Sequence, residues 1–278
     1  MKNVIVRALS GTVYVALIVA CVLLGGYWWL ALACLFTVLG TLEYQHLVAH
    51  LSGTAAPWPL RALDMAMSLG LLAYVPVALE CGADFHALIL VLAVYSLARL
   101  SGALAQKQGN ALQDALAGVF GVFYIAFPMA LLSWGVMQGQ GYMNMALMMF
   151  CLIWLNDTGA FCFGITLGKH RLCERLSPKK SWEGFWGGML TCVVVAMAVC
   201  YVTGWIPMLW GAVYAVMVSL ASTWGDLFES LMKRTAGVKD AGHLIPGHGG
   251  ILDRIDSLLF VAPVILVYKF ILVFLSAA

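Results

Sequence analysis

The sequence predicts an all-α fold, a polytopic transmembrane helical bundle. Of the 278 residues, 63% are hydrophobic and only 10% are charged, and the mean hydropathy is +0.95. A soluble domain carries charges on about a quarter of its residues, and a disordered chain has low hydrophobicity, so both classes are excluded. The 15 basic and 13 acidic residues nearly cancel, which argues against nucleic-acid binding by electrostatics.

The cysteines predict neither a disulfide framework nor a metal site. They lie mostly inside apolar runs and show no CxxC pair or other ligand spacing. We therefore expect them to be small packing residues. They are Cys21, Cys34, Cys81, Cys151, Cys162, Cys173, Cys192 and Cys200.

Apolar runs of roughly the 20 residues that a spanning helix needs recur about nine times along the chain. The first run follows Lys2 and Arg7 and has no small-x-small cleavage site after it, so it predicts a span rather than a signal peptide. The fourth run is short, and a re-entrant segment is an alternative there. The runs cover residues 8–24, 28–48, 62–79, 86–97, 115–136, 142–167, 184–202, 209–228 and 258–275.

Lys and Arg in the connections predict the orientation. Lys and Arg residues precede the first span or lie in the connection after an even-numbered span. The exception is Lys269, which lies inside the last run. Arg99 belongs to this set because it follows the predicted end of span four. The positive-inside rule then predicts a cytoplasmic N-terminus and places both large basic loops in the cytoplasm.

Polar residues near the end of span eight predict a divalent cation site. On a helix, Asp226, Glu229, Ser230 and Lys233 fall at i, i+3, i+4 and i+7 and form one stripe. Carboxylate and hydroxyl oxygens suit a hard cation such as Mg²⁺.

The residues that follow predict phosphate binding. The run 246–250 would let the backbone approach a ligand closely and expose N–H groups to phosphate oxygens. Asp253 and Asp256 then return two carboxylates with Arg254 between them. Mg²⁺ is usually held by one or two carboxylates plus phosphate oxygens, and cationic side chains neutralise the remaining charge. The mixture therefore predicts nucleoside triphosphate chemistry.

The whole segment resembles, position for position, the signature of the phosphatidate cytidylyltransferases, also called CDP-diacylglycerol synthases. That signature is Ser-x-x-Lys-Arg, four residues, Lys-Asp, then Pro-Gly-His-Gly-Gly-x-x-Asp-Arg-x-Asp. The matching residues are Ser230, Lys233, Arg234, Lys239, Asp240, Pro246, Gly247, His248, Gly249, Gly250, Asp253, Arg254 and Asp256.

A second patch is similar to the same family and lies on the same predicted side. It departs from the family pattern at Phe161, where Tyr is expected, and in the short spacing between Gly164 and Gly168; neither departure removes a charge. The two patches together cover residues 156–257. The second patch comprises Asn156, Asp157, Phe161, Gly164, Gly168, Lys169, Ser177, Lys179, Lys180, Ser181, Glu183 and Gly184.

The resemblance implies an enzyme that converts CTP and phosphatidic acid to CDP-diacylglycerol and pyrophosphate. It implies Mg²⁺ as the cofactor and leaves open whether a second cation is bound and which one it is. It implies a multi-pass protein of the bacterial inner membrane whose active site faces the cytoplasm, with a homodimer as the default assembly. The expected division is into N-terminal transmembrane helices, 1–150, and a C-terminal catalytic region, 151–278, with cytoplasmic loops 168–183 and 233–256.

The resemblance also assigns roles to residues. Asp226 and Asp253 are expected to form a metal pair that bridges triphosphate oxygens, with Asp256 and Glu229 as second-choice ligands. Phosphate oxygens of CTP and of the lipid are expected to bind cationic side chains. The catalytic set is Asp226, Lys233, Asp253 and Arg254, and the substrate-binding set is Lys179, Lys180, Ser230, Arg234, Lys239, His248, Gly249 and Gly250.

Five residues keep two interpretations. Asp226 and Asp253 either bind a metal ion or form structural ion pairs with Lys233 and Arg254. Asp157 either serves the site or accepts hydrogen bonds within the bundle. Glu43, inside span two, either packs between helices or lines a substrate cavity. His243 either caps its loop or contacts substrate.

Two other functions remain alternatives at this point. A CTP-dependent polyprenol kinase would transfer the γ-phosphoryl group instead of the nucleotidyl group. An ion-coupled transporter would use Asp157, Asp226 and Asp253 as a cation path. A transporter of that kind predicts paired broken helices in two halves, whereas the acids crowd into the second half of this chain.

Overall fold

The computed structural model describes residues 2–83, 86–242, 244 and 249–277, and these are almost entirely helical. This confirms the predicted all-α, polytopic helical class. In chain order the elements are α1 (Lys2–Leu24), α2 (Gly26–Ser52), α3 (Trp58–Cys81), α4 (His86–Ala105), α5 (Ala111–Gly121), a π-helical segment (Val122–Ala126), α6 (Phe127–Met137), α7 (Gln140–Leu167), β1 (Arg171–Cys173), β2 (Ser177–Ser181), α8 (Trp182–Thr203), α9 (Met208–Thr235) and α10 (Leu252–Ala277).

Within the described residues, 7 helical stretches are long and apolar enough to cross a bilayer. They are α2, α3, α4, the continuous stretch from α5 to α6, α7, α8 and α9. The apolar part of α1, Leu9–Leu24, corresponds to the first predicted span, and α10 contains the last. The count of nine spans and the cytoplasmic N-terminus stay predictions.

The fourth span is a full-length helix, and the placement of Arg99 in a connection is wrong. α4 continues to Ala105, so Arg99 lies within it and is 1% exposed. Its guanidinium donates to Asp64 Oδ1 at 3.0 Å and to Asp114 Oδ2 at 2.9 Å. A buried arginine needs such partners. The predicted span ends at Leu97 because an arginine interrupts the apolar run. The sequence does not show that aspartates of α3 and α5 compensate the charge of Arg99.

The first of two compact units comprises Met1–Gly139 and Met232–Ile255. Apolar side chains of α2, α3 and the α5–α6 stretch form its core, with Leu47, Ile125 and Met129 fully buried. The Trp29 indole N–H donates to Ser133 Oγ at 3.2 Å within this core. The unit thus includes the end of α9, the loop after it and the first turn of α10.

The second unit comprises Gln140–Leu231 and Asp256–Ala278. α7 and α8 pack closely here because small residues face each other: a Cβ on Gly159 would lie 3.1 Å from the Gly188 Cα. Asn156 is buried beside this contact, where its amide oxygen accepts from Ser219 Oγ at 2.6 Å. α9 and α10 each contribute residues to both units, and the predicted division at residue 150 stays a prediction.

A short antiparallel hairpin, β1–β2, connects α7 to α8 in the second unit. Ser181 ends the hairpin and caps α8, since its hydroxyl accepts from the Gly184 N–H at 3.1 Å. The Glu183 carboxylate accepts from the Lys169 N–H at 3.1 Å, across the start of the hairpin. These contacts hold the strand that carries Lys179 and Lys180.

Candidate active site

Three carboxylates of the second unit form a cluster, hereafter the acidic cluster: Asp226 and Glu229 on α9 and Asp256 on α10. One oxygen from each lies within 4.8 Å of the others. Glu229 is 1% and Asp256 is 8% exposed, while Asp226 is half-buried. The i, i+3 spacing predicted from the sequence brings the two α9 carboxylates to one face. The tertiary structure adds Asp256.

A close approach of α10 to α9 brings Asp256 to this cluster. A Cβ on Gly225 would lie 2.7 Å from the Asp256 carbonyl oxygen and 2.9 Å from the Ser257 Cα. The Ser257 hydroxyl donates to the carbonyl oxygen of Ser222 at 3.2 Å, which ties the same two helices together. Glycine at 225 is therefore a requirement of the cluster's geometry.

Lys180 reaches the acidic cluster from strand β2. Its ammonium forms an ion pair with the Asp226 carboxylate, and the two side chains are 30% and 31% exposed. Lys179, its neighbour on the strand, is exposed. Both lysines are expected to bind phosphate, and the contact of Lys180 with a proposed metal ligand is visible only in the folded chain.

The acidic cluster fits a divalent cation by the chemistry of its donors. Three carboxylates bring three negative charges close together, and Lys180 offsets one of them. Carboxylate oxygens are the ligands that Mg²⁺ prefers, and Mg²⁺ usually keeps positions for water or phosphate oxygens.

Lys233 and Asp253 belong to the first unit and form a largely buried ion pair. The Lys233 ammonium donates to Asp253 Oδ1 at 2.6 Å, and the side chains are 12% and 7% exposed. The other oxygen, Oδ2, accepts from the backbone N–H of Gly250 at 2.9 Å and of Ala241 at 3.1 Å. Asp253 thereby holds both the Lys233 ammonium and the loop. The assignment of Asp253 to the metal stays a prediction.

Glu43 of α2 holds the same region from the N-terminal half of the chain. Its carboxylate accepts from the Ile251 N–H at 3.0 Å and from the Leu252 N–H at 2.7 Å. A Cβ at Gly242 or Gly250 would overlap this carboxylate. From the sequence alone the role of Glu43 is open, because an acid inside an apolar run does not identify the group that it contacts.

The N–H groups at the start of α10 are therefore directed at carboxylates rather than at open space. Gly250 donates to Asp253, and the next two residues donate to Glu43. The Gly250 N–H thus has a carboxylate acceptor in the folded chain. Gly249 takes φ of 81°, the left-handed region that favours glycine. Substrate binding by Gly249 and Gly250 stays a prediction.

The other predicted site residues differ in exposure. Ser230 is half-buried, whereas Arg234, Lys239 and Arg254 are exposed. Arg234 donates through one terminal nitrogen to the Val238 carbonyl oxygen at 3.5 Å. His243 and His248 lie outside the described residues.

Asp157 is exposed on α7, whereas the adjacent Asn156 is buried. Asn156 pairs with Ser219, and its amide nitrogen lies 3.4 Å from Thr223 Oγ1. Asn156 therefore hydrogen-bonds within the bundle, and both interpretations of Asp157 stay predictions.

Comparison with known proteins identifies relatives over much of the chain. It is 38% identical over 167 residues to a phosphatidate cytidylyltransferase of Staphylococcus aureus (strain COL), a match that covers 60% of this chain and 63% of the relative. Phosphatidate cytidylyltransferases of Staphylococcus saprophyticus and Staphylococcus epidermidis are each 36% identical, over 167 and 171 residues, with the same shares covered. Each match thus spans less than two thirds of the relative. The model of the Cytidylyltransferase family matches residues 5–272, so the chain belongs to that family.

Proposed function

We propose that the protein transfers CMP from CTP to phosphatidic acid, giving CDP-diacylglycerol and pyrophosphate. The observation that carries the proposal is the acidic cluster of Asp226, Glu229 and Asp256, held on apolar helices of a chain that belongs to the cytidylyltransferase family. The names of the staphylococcal relatives support phosphatidate as the acceptor. Long apolar helices suit an enzyme whose acceptor and product are membrane lipids.

The chemistry requires positioning and charge neutralisation more than proton transfer. A phosphate oxygen of phosphatidic acid forms a bond to the α-phosphorus of CTP. The bond between that phosphorus and the oxygen bridging to the β-phosphorus breaks, and pyrophosphate leaves with the electron pair. Because the attacking phosphate is already anionic, the step needs no general base.

Asp226, Glu229 and Asp256 are the residues that would hold Mg²⁺. The ion supplies charge stabilisation at triphosphate oxygens. Lys180 carries a positive charge beside the same carboxylates, where it is suited to bind a phosphate oxygen.

Cationic side chains of the first unit are further proposed ligands of phosphate oxygens. Asp253 holds the Lys233 ammonium at 2.6 Å, which orients this side chain and reduces the reorganisation needed when phosphate binds. Arg234, Lys239 and Arg254 are exposed and are suited to meet phosphate oxygens, the guanidiniums by bidentate contact.

We further propose that the enzyme works in the inner (cytoplasmic) membrane of a bacterium with its active site toward the cytoplasm, where CTP is available. The positive-inside rule supports this orientation, and its staphylococcal relatives are bacterial proteins. A homodimer is the assembly to test first, by the mass of the detergent-solubilised protein.

The decisive experiment incubates purified full-length protein in mixed micelles with phosphatidic acid, CTP labelled in the cytidine, and Mg²⁺. We expect a lipid that gains CMP, one equivalent of released pyrophosphate, and loss of both with Asp256→Asn. Glu174→Gln, which removes an exposed carboxylate on the hairpin, is the matched control and is expected to retain activity.

Other products would overturn the proposal. A polyprenol acceptor that gains a single phosphate, with CDP released, would identify a kinase. Absence of any CTP-dependent product from folded protein, together with ion flux in liposomes, would identify a transporter.

A further inference from the structure

A polar stripe on α2 faces the loop that follows α9. The polar residues of this stripe are Glu43, His46 and His50, at i, i+3 and i+7, so they share one side of the helix. The apolar Leu47, at i+4, lies on the same side. Glu43 contacts the loop directly through the Ile251 and Leu252 N–H groups. The two histidines continue the stripe toward the C-terminal end of α2.

A cavity of about 350 Å³ lies between this end of α2 and residues 238–242. His46, Leu47 and His50 line it from the helix, and Lys239 and Asp240 line it from the loop. A water molecule occupies about 30 Å³ in the liquid. The cavity is therefore large enough for a phosphate or pyrophosphate group with its immediate substituents.

The lining of the cavity favours an anion. Three basic side chains, His46, His50 and Lys239, face one acidic side chain, Asp240. The two imidazole rings pack edge to face with their centroids 4.9 Å apart. Imidazole N–H and ammonium groups are hydrogen-bond donors to phosphate oxygens. A carboxylate or phosphate ligand would therefore meet hydrogen-bond donors on both walls of the cavity.

The loop wall of the cavity is anchored by the Asp253 carboxylate. Asp253 accepts from the Ala241 N–H at 3.1 Å, next to the lining residue Asp240. Glu43, one helical turn before His46, fixes the start of α10. A wall held in this way loses little conformational entropy when a ligand binds.

We propose that this cavity is a phosphate-binding subsite of the enzyme, with His46, His50 and Lys239 as its ligands. The inference rests on the proposed function and adds two binding residues from the N-terminal helices that no signature motif contains. The phosphate belongs either to CTP, including the pyrophosphate that leaves it, or to the lipid acceptor. Kinetics with each substrate varied separately distinguish these sources.

The test is the double variant His46→Asn/His50→Asn in the full-length protein. Each lost hydrogen bond to a charged ligand weakens binding about ten-fold. We expect KM to rise about ten-fold or more for the substrate whose phosphate is bound, with kcat changed less. A rise for CTP, with weaker inhibition by pyrophosphate, assigns the cavity to the nucleotide; a rise for phosphatidic acid assigns it to the lipid.

His86→Asn is the matched control, because His86 is an exposed histidine at the start of α4 that does not line the cavity. If the double variant does not fold, the single variants His46→Asn and His50→Asn each test the same expectation. Unchanged KM values for both substrates would overturn the inference, and so would a fall in kcat alone.

Failure of the proposed function gives a different result. If wild-type protein forms no CMP-lipid, calorimetric titration with pyrophosphate, with CTP and with a short-chain phosphatidic acid tests the cavity directly. Binding by the wild type that weakens about ten-fold in the double variant supports the subsite; no binding, or equal binding by both proteins, overturns it.

Discussion

The carboxylate of Glu43 accepts a hydrogen bond from the backbone N–H of Leu252 at 2.7 Å, although 209 positions separate the two residues. The same carboxylate accepts from Ile251 at 3.0 Å. N–H groups at a helix start lack partners within the helix and carry a partial positive charge. Ile251 precedes α10 and has no side-chain acceptor, so α2 supplies the anion that this helix start requires.

Replacement of Glu43 is expected to loosen the loop and lower activity. In Glu43→Gln the negative charge disappears and one carboxylate oxygen becomes an NH₂ group that cannot accept from a backbone N–H. A hydrogen bond to a charged group contributes about 1.5–3 kcal/mol. We expect faster amide hydrogen exchange at residues 249–252 and reduced kcat/KM, measured on the same preparation.

Glu80→Gln is the control for the Glu43 variant, because Glu80 is an exposed acid at the end of α3. It is expected to leave both readouts unchanged. Wild-type exchange rates in the Glu43 variant would show that α10 does not depend on this carboxylate.

Variants of the acidic cluster are expected to alter the Mg²⁺ dependence. Glu229→Gln and Asp256→Asn each remove one negative charge from three carboxylates that lie within 4.8 Å. Loss of one preorganised electrostatic contact typically costs a factor of about 10²–10³ in rate. We expect a fall of this size and a higher Mg²⁺ concentration for half-maximal activity, measured by initial rates across a Mg²⁺ series.

Asp253→Asn is the informative comparison in that series. If Asp253 binds the metal, its Mg²⁺ activation curve shifts as in the cluster variants. If it acts by holding Lys233 and the loop, the rate falls while the Mg²⁺ midpoint stays unchanged. Unaltered Mg²⁺ dependence in both cluster variants would remove Glu229 and Asp256 from the metal site.

Gly225→Ala is expected to separate α9 from α10. The added Cβ would lie 2.7 Å from the Asp256 carbonyl oxygen and 2.9 Å from the Ser257 Cα. Because both are backbone atoms of α10, a change of side-chain rotamer cannot relieve the overlap. Overpacking typically costs about 1–3 kcal/mol. We expect a lower unfolding temperature in detergent and loss of activity. Gly70→Ala, where a Cβ meets nothing within 4 Å, should keep both.

Arg99 is expected to be required for stability of the first unit. Arg99→Met would leave Asp64 and Asp114 buried without the guanidinium that binds both. Breaking a buried ion pair typically costs about 3–5 kcal/mol because one charge remains uncompensated. We expect a large fall in thermal stability and partial recovery in the triple variant Arg99→Met/Asp64→Asn/Asp114→Asn.

Arg61→Met removes an exposed arginine and is expected to change stability little. A triple variant no more stable than Arg99→Met would contradict the interpretation that uncompensated charge is the cause.

Local patterns in the sequence determined the helical membrane class and one face of the site. Apolar runs of spanning length predict helices because a bilayer leaves the backbone no other partners. The i, i+3 spacing of Asp226 and Glu229 predicts a shared face because both residues belong to one helix. The signature resemblance supplied the expected chemistry, and the match over residues 5–272 confirmed the family.

Only the tertiary structure decided which distant groups meet. Three contacts join residues of different elements. Lys180 pairs with Asp226, Glu43 anchors the start of α10, and Arg99 is buried between two aspartates. Hydropathy and helical periodicity report the face on which a residue lies, but not the helix that packs against it. Helix packing depends on side-chain shape and on close approaches such as that at Gly225, and these are properties of the folded chain.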